Sequence, residues 1–203
     1  MLPHLTSPKV IGITGSIASG KSAVTQYLKQ KNLPVIDADQ LGHRVLHPEH
    51  EGYRKIVAIF GPDILNEDRT INRKALGNVV FADPEKLKQL NAISRPQIAL
   101  MFAEEIKQLS GQKVVFLEAA ILIEAGWHKS CHEVWVVTTD ENHAIRRLVD
   151  YKNYTEDQAR ARLQAQLTHE ERKAYAHCVI TNNGSLEELH DQVEQALQPL
   201  MQS

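Results

Sequence analysis

The run KVIGIT-GSIASGKS-AVTQYLKQK, residues 9–31, constrains the fold more than any other stretch of the chain. A β-branched apolar segment passes directly into a turn carrying Gly15 and Gly20, and the turn opens a helix-forming segment with no spacer. Gly15-Ser16-Ile17-Ala18-Ser19-Gly20-Lys21-Ser22 matches GxxxxGK[ST] in full. The spacing has a mechanical reason. Successive backbone N–H groups must turn inward to meet phosphate oxygens, and the helix start adds partial positive charge. Lys21 then reaches the β- and γ-phosphates, and the Ser22 hydroxyl can ligate Mg²⁺. Ala18 stands where a looser loop carries glycine, and it suits the turn if its φ is negative.

Four further apolar runs read as strands: PVID (34–37), KVVFLE (113–118), EVWVVT (133–138) and CVIT (178–181). Several are nearly continuous rather than alternating, as strands buried on both faces of a parallel sheet are. Helical patterns lie between them at 21–31, 141–151 and 155–176, and over 85–110 as two helices interrupted by Pro96. A last helix, SLEELHDQVEQAL, opens with the capping box Ser185 and Glu188. Strands alternating with helices predict an α/β doubly wound sheet. Residues 40–112 are too long for a simple crossover and predict an inserted helical subdomain, a natural place for acceptor recognition.

Composition narrows the class. With 203 residues, 42% of them apolar, the chain can build a real core, and a net charge of −2 gives no global pull toward nucleic acid or a membrane surface. No run of ~18 apolar residues exists, and the start MLPHLTSPK lacks the apolar stretch of a secretory signal. Cys131 and Cys178 suggest reduced thiols rather than a disulfide framework, so a cytoplasmic protein is expected. No zinc-ligand spacing is present.

Three sets of polar residues accompany the loop. Asp37 and Asp39 stand two apart at the end of the second strand, so on an extended segment they share a side, close to where ligands bind in α/β sheets. One can orient Mg²⁺ through water and the other can accept a proton from an acceptor hydroxyl; the competing reading is that Asp39 caps the next helix. Glu118 ends the third strand, either as a carboxylate near Mg²⁺ or as a plain solvent-exposed terminus. The helical stretch 141–173 carries Arg146, Arg147, Lys152, Arg160, Arg162, Arg172 and Lys173. Arginines there can close over a triphosphate, although for any one of them a solvated, salt-bridged position is the ordinary alternative.

The ordered set IGITGSIASGKS, VIDAD (35–39), HRVL, FGPDIL, INRKALGNVVF (71–81), EAAILIEAGW (118–127), HEVWVV, RARLQAQ (160–166) and VITNNG (179–184) resembles the dephospho-CoA kinase family over nearly the whole chain. Its wording is closest to the kinase domain of the eukaryotic bifunctional coenzyme A synthase. The resemblance implies a P-loop kinase fold in a single domain. A five-stranded parallel core would occupy about 9–39, 113–140 and 177–203, with an acceptor subdomain at about 40–112 and a helical lid at about 141–176. It implies phosphorylation of the ribose 3′-hydroxyl of dephospho-CoA by ATP with Mg²⁺, in a monomer or weak homo-oligomer without nucleic-acid or membrane partners. On the matching positions, Gly15, Ala18, Ser19, Gly20, Lys21, Ser22 and Ala23 would hold ATP phosphates, and Ser22 the metal. Asn182 and Gly184 would lie beside adenine. Asp39 matches the base and Arg147 the lid arginine that meets the transferred group, while Arg73, Arg162 and Gln166 match acceptor and lid positions.

Three positions depart from the family pattern: Arg95-Pro96 replaces His-Pro, Tyr151-Lys152 replaces Arg-Asp or Arg-Asn, and Ala23 replaces threonine after the loop. The rival readings are another P-loop small-molecule kinase, acting on a nucleoside monophosphate or shikimate, and a nucleotide-binding regulatory protein without turnover. The later motifs oppose the first. Lys21, Ser22, Asp39 and Arg147 standing together oppose the second.

Overall fold

A computed structural model describes residues 7–202; the N-terminal stretch read above for a leader signal lies largely outside them. The described residues form two compact units, one spanning Asp37–Lys107 and the other taking the chain on either side of it.

The flanking unit is built on a parallel sheet of β1 (Lys9–Gly15), β2 (Val35–Asp37), β3 (Val114–Glu118), β4 (Glu133–Thr138) and β5 (Cys178–Thr181). The strand order is β2-β3-β1-β4-β5, so β1 is central. Ile11 of β1 pairs with Phe116 on one side and with Glu133 on the other. Every residue of β1 after Lys9 is buried, which accounts for its continuous apolar run. The chain turns to one side of β1 first and to the other later, and the carboxyl end of β1 is therefore a topological switch point, where α/β sheets open a ligand crevice.

Helices α1 (Lys21–Gln30) and α9 (Leu186–Gln202) cover the core with Val24, Leu28, Leu189, Val193 and Leu197, against Ile11, Ile13, Trp135 and Ile180. Phe116 and Trp135 meet edge to face at 5.3 Å. The Ser185–Glu188 capping box is formed in full: the Ser185 N–H donates to Glu188 Oε2 at 2.9 Å and the Glu188 N–H to Ser185 Oγ at 3.2 Å. Both cysteines are free, and burial pushes the Cys131 thiol up to about 12, so it stays protonated at neutral pH.

The Asp37–Lys107 unit holds α2 (Ala38–Val45), α3 (Glu51–Phe60), α4 (Arg73–Phe81) and most of α5 (Pro84–Gln108). Arg44 of α2 pairs with Glu105 of α5. Gly52 is required where α3 passes α2, because a Cβ there would lie 2.3 Å from a Val45 methyl.

Two helix boundaries differ from the sequence reading. Residues 84–108 are one helix, with Pro96 inside it. Proline there costs the bond that the Ala92 carbonyl would accept, but Ala92 and Pro96 are exposed, so water can satisfy that carbonyl. Conversely, 155–176 is not one helix but α7 (Glu156–Gln164) and α8 (His169–Lys173), following α6 (Glu141–Lys152). The break arises because Thr168 begins a new capping box with Glu171, which competes with continuing α7.

Candidate active site

The loop leaves the buried end of β1 and closes onto the first turn of α1. Gly20 has a φ of 98°, and a Cβ there would lie 1.9 Å from Asn182 Nδ2. A side chain at Gly15 would meet the Val137 carbonyl oxygen of β4 at 2.3 Å. Gly15 is therefore dictated by backbone packing, and Gly20 by its left-handed backbone beside the Asn182 side chain. The Lys21 ammonium folds back to the carbonyls of Gly15 at 2.9 Å and Ser16 at 3.2 Å, which keeps its charge at the loop's mouth. The hydroxyls of Ser16 and Ser19 are buried within the loop with no hydrogen-bond partner.

Ala18 does not meet the condition of a negative φ; its φ is 60°. In this left-handed setting its carbonyl accepts from Arg147 Nη1 at 3.1 Å. An L-residue held so is strained by about 1–2 kcal/mol. Glycine would relieve this but adds freedom to the unfolded chain, so Ala18→Gly is expected to stabilise by at most about 1 kcal/mol. That corresponds to a rise in Tm of about 2 °C, read by calorimetry; a fall would show that the position carries no strain.

Distant segments converge on the loop. Arg147 Nη2 of α6 donates to the Asn182 carbonyl at 2.9 Å, and Asn182 Nδ2 donates to the Ser19 carbonyl at 2.9 Å. From the segment after α7, Gln166 Oε1 accepts the Ile17 N–H at 2.8 Å. A cavity of about 320 Å³ opens between these groups, lined by Gly20, Ser22, Ala23, Arg147, Asn182 and Gly184 and floored by Leu186 and Leu189. Its lining suits a flat apolar ring beside a polyanion. Ser22 is exposed there, so its hydroxyl can join phosphate oxygens and water around Mg²⁺, the usual donor set of a kinase magnesium ion.

The two aspartates divide differently from the sequence reading. β2 stops at Asp37, whose Oδ1 accepts from the N–H groups of Asp39 at 2.9 Å and Gln40 at 3.1 Å. Asp37, not Asp39, is thus the N-cap of α2, and Asp39 lies in the first helical turn rather than on a shared strand face. Capping satisfies two N–H groups that an extended continuation would not have brought together.

The dephospho-CoA kinase family model matches residues 9–188. A dephospho-CoA kinase of Dehalococcoides mccartyi is 44% identical over 190 residues, covering 92% of this chain and 94% of that one. The chain belongs to the dephospho-CoA kinase family. Among solved structures, the dephospho-CoA kinase from Campylobacter jejuni aligns with a TM-score of 0.73 at 26% identity over 95% of this chain and 97% of its own. A Thermus thermophilus protein, TT1252, aligns at a TM-score of 0.83 and 34% identity, with 96% and 99% covered.

Within this dephospho-CoA kinase framework, the remaining expected residues are spread out. Glu118 ends β3 beside Ile13 of β1, half-buried. Arg73 is the exposed first residue of α4, in the other unit. Arg162 is exposed and lies over the Tyr154 ring at 4.6 Å. Among the variant positions, Tyr151 is 77% exposed and Ala23 lines the cavity.

Sequence reasoning missed Thr139 and Asn183. The Thr139 hydroxyl donates to the Asn182 carbonyl at 2.9 Å, and Asn183 Oδ1 accepts the Asp140 N–H at 2.8 Å, tying the VITNNG turn to the start of α6. The doubled asparagine was the available signal, since side-chain amides commonly brace turns.

Proposed function

We propose that this protein transfers the γ-phosphoryl group of ATP to the ribose 3′-hydroxyl of dephospho-CoA, giving CoA and ADP in the final step of coenzyme A synthesis. The observation that carries the proposal is the phosphate loop with Arg147, Gln166 and Asn182 gathered on it, in a chain that matches the dephospho-CoA kinase family over residues 9–188.

In this reading the loop from Gly15 to Ala23 holds the triphosphate through its backbone N–H groups. Lys21 exchanges its two carbonyl partners for phosphate oxygens. Mg²⁺, held at the Ser22 hydroxyl, would neutralise charge on the phosphates. Arg147 already stands at the loop and supplies a guanidinium to the transferred group. Asn182 and Gly184 flank the base above the Leu186–Leu189 floor. Asp39 accepts the proton of the attacking hydroxyl, a step in which positioning matters more than base strength. Arg73, Arg162 and Gln166 contribute to acceptor and lid contacts. The Asp37–Lys107 unit serves the acceptor, and α6 to α8 act as the lid. Among the described residues no helix is long and apolar enough to cross a membrane, and we place the reaction in the cytoplasm, in a monomer or weak homo-oligomer.

Mass spectrometry of the purified protein with MgATP and dephospho-CoA tests this. A product heavier by one phosphoryl group, absent with the Lys21→Ala protein, is expected. Nucleotide binding without such a product would reject dephospho-CoA as the acceptor.

A further inference from the structure

Arg172 lies apart from the cavity, yet its side chain is only 1% exposed. Its Nη1 donates to the Leu167 carbonyl, and its Nη2 forms an ion pair with Glu124 Oε1 at 3.5 Å. Glu124 belongs to the turn that follows β3, and the Thr14 hydroxyl of β1 donates to Ala120 of that turn at 3.4 Å. Leu167 directly follows Gln166, whose side chain takes the Ile17 N–H. A continuous path therefore runs from the turn after β3, through Glu124, Arg172 and Leu167, to Gln166 and the phosphate loop.

Burying a guanidinium is expensive, and an apolar side chain of similar volume usually stabilises a core as well or better. What an apolar side chain cannot do is hold the Leu167 carbonyl by a directed hydrogen bond. In the break between α7 and α8, the Ala165 and Gln166 N–H groups bond back to the Ala161 and Leu163 carbonyls at 3.1 and 3.2 Å, and Thr168 is held by the cap of α8. Arg172 adds a hold on the Leu167 carbonyl between them.

We propose that Arg172 is a positioning residue for nucleotide binding: with Glu124 it fixes the Gln166–Leu167 segment, and through Gln166 it sets the shape of the phosphate loop. The proposal rests on the loop being the triphosphate site, but not on the identity of the acceptor.

The test is a double-mutant cycle read by calorimetric titration of MgATP alone, with circular dichroism confirming folding. Arg172→Met and Gln166→Ala are each expected to weaken MgATP binding about tenfold, and the double variant no further within about twofold, because both cut one path. Arg172→Lys, which can still donate to Leu167, should recover most of the affinity. Glu124→Gln keeps shape and solubility and should weaken MgATP binding severalfold even where Arg172→Met fails to fold. Unchanged affinity in Glu124→Gln, or losses that multiply to about a hundredfold in the double variant, would overturn the proposal. Normal MgATP binding in the parent protein without CoA formation would count against the acceptor assignment and leave this cycle fully readable.

Discussion

The Lys21→Ala protein is expected to lose about 1,000-fold in kcat/KM, with ATP affinity falling as well. Lys21 is the first residue of α1, so its ammonium adds a full charge to the helix end. It bonds the Gly15 and Ser16 carbonyls, so it is held beside the loop. Removing a preorganised donor aimed at developing charge costs about 10²–10³ in rate, and here the same group also binds the ground state. Arginine should not rescue, since its planar fork cannot reproduce a compact ammonium in a loop this tight. Steady-state kinetics paired with nucleotide titration check both halves. Unaltered ATP binding would contradict the cradle reading itself.

Asp39→Asn should lower turnover by about 100-fold or more, in line with general-base contributions, while ATP binding stays nearly intact. The structure supplies a control. Asp37 caps α2 through its carboxylate, and asparagine caps equally well, so Asp37→Asn is expected to change turnover little. Asp37→Ala, which removes the cap, should cost about 1 kcal/mol of stability and loosen the turn that carries Asp39. Near-normal turnover in Asp39→Asn would remove it as the base.

Legibility followed the range of the interactions involved. All five strands were readable to within a residue: β1, β3 and β4 are buried along nearly their whole length and need continuous apolar runs, while β2 and β5, with one buried residue each, still carry short β-branched runs. The Ser185–Glu188 cap was readable because it is complete within four residues. The phosphate loop was readable because its glycines, lysine and serine stand at fixed spacing within eight contiguous residues. Arg147 and Gln166, by contrast, lie 129 and 149 positions from their loop partners, and only the family resemblance singled them out, since nothing local distinguishes Arg147 from its exposed neighbour Arg146. The same helical stretch holds Arg160 in a surface pair with Glu141 and Arg172 wholly buried. Periodicity alone could not rank them.

By itself, then, the sequence determined the strand set, the phosphate loop and the family, since each is written in contiguous residues whose side-chain periods or backbone needs are short-range. The tertiary structure decided which carboxylate caps α2, that Ala18 takes the left-handed form, that Pro96 leaves its helix unbroken and which carbonyls Arg147 meets at the loop. Those outcomes depend on where carbonyls, caps and solvent stand in three dimensions, and a local pattern carries no record of them.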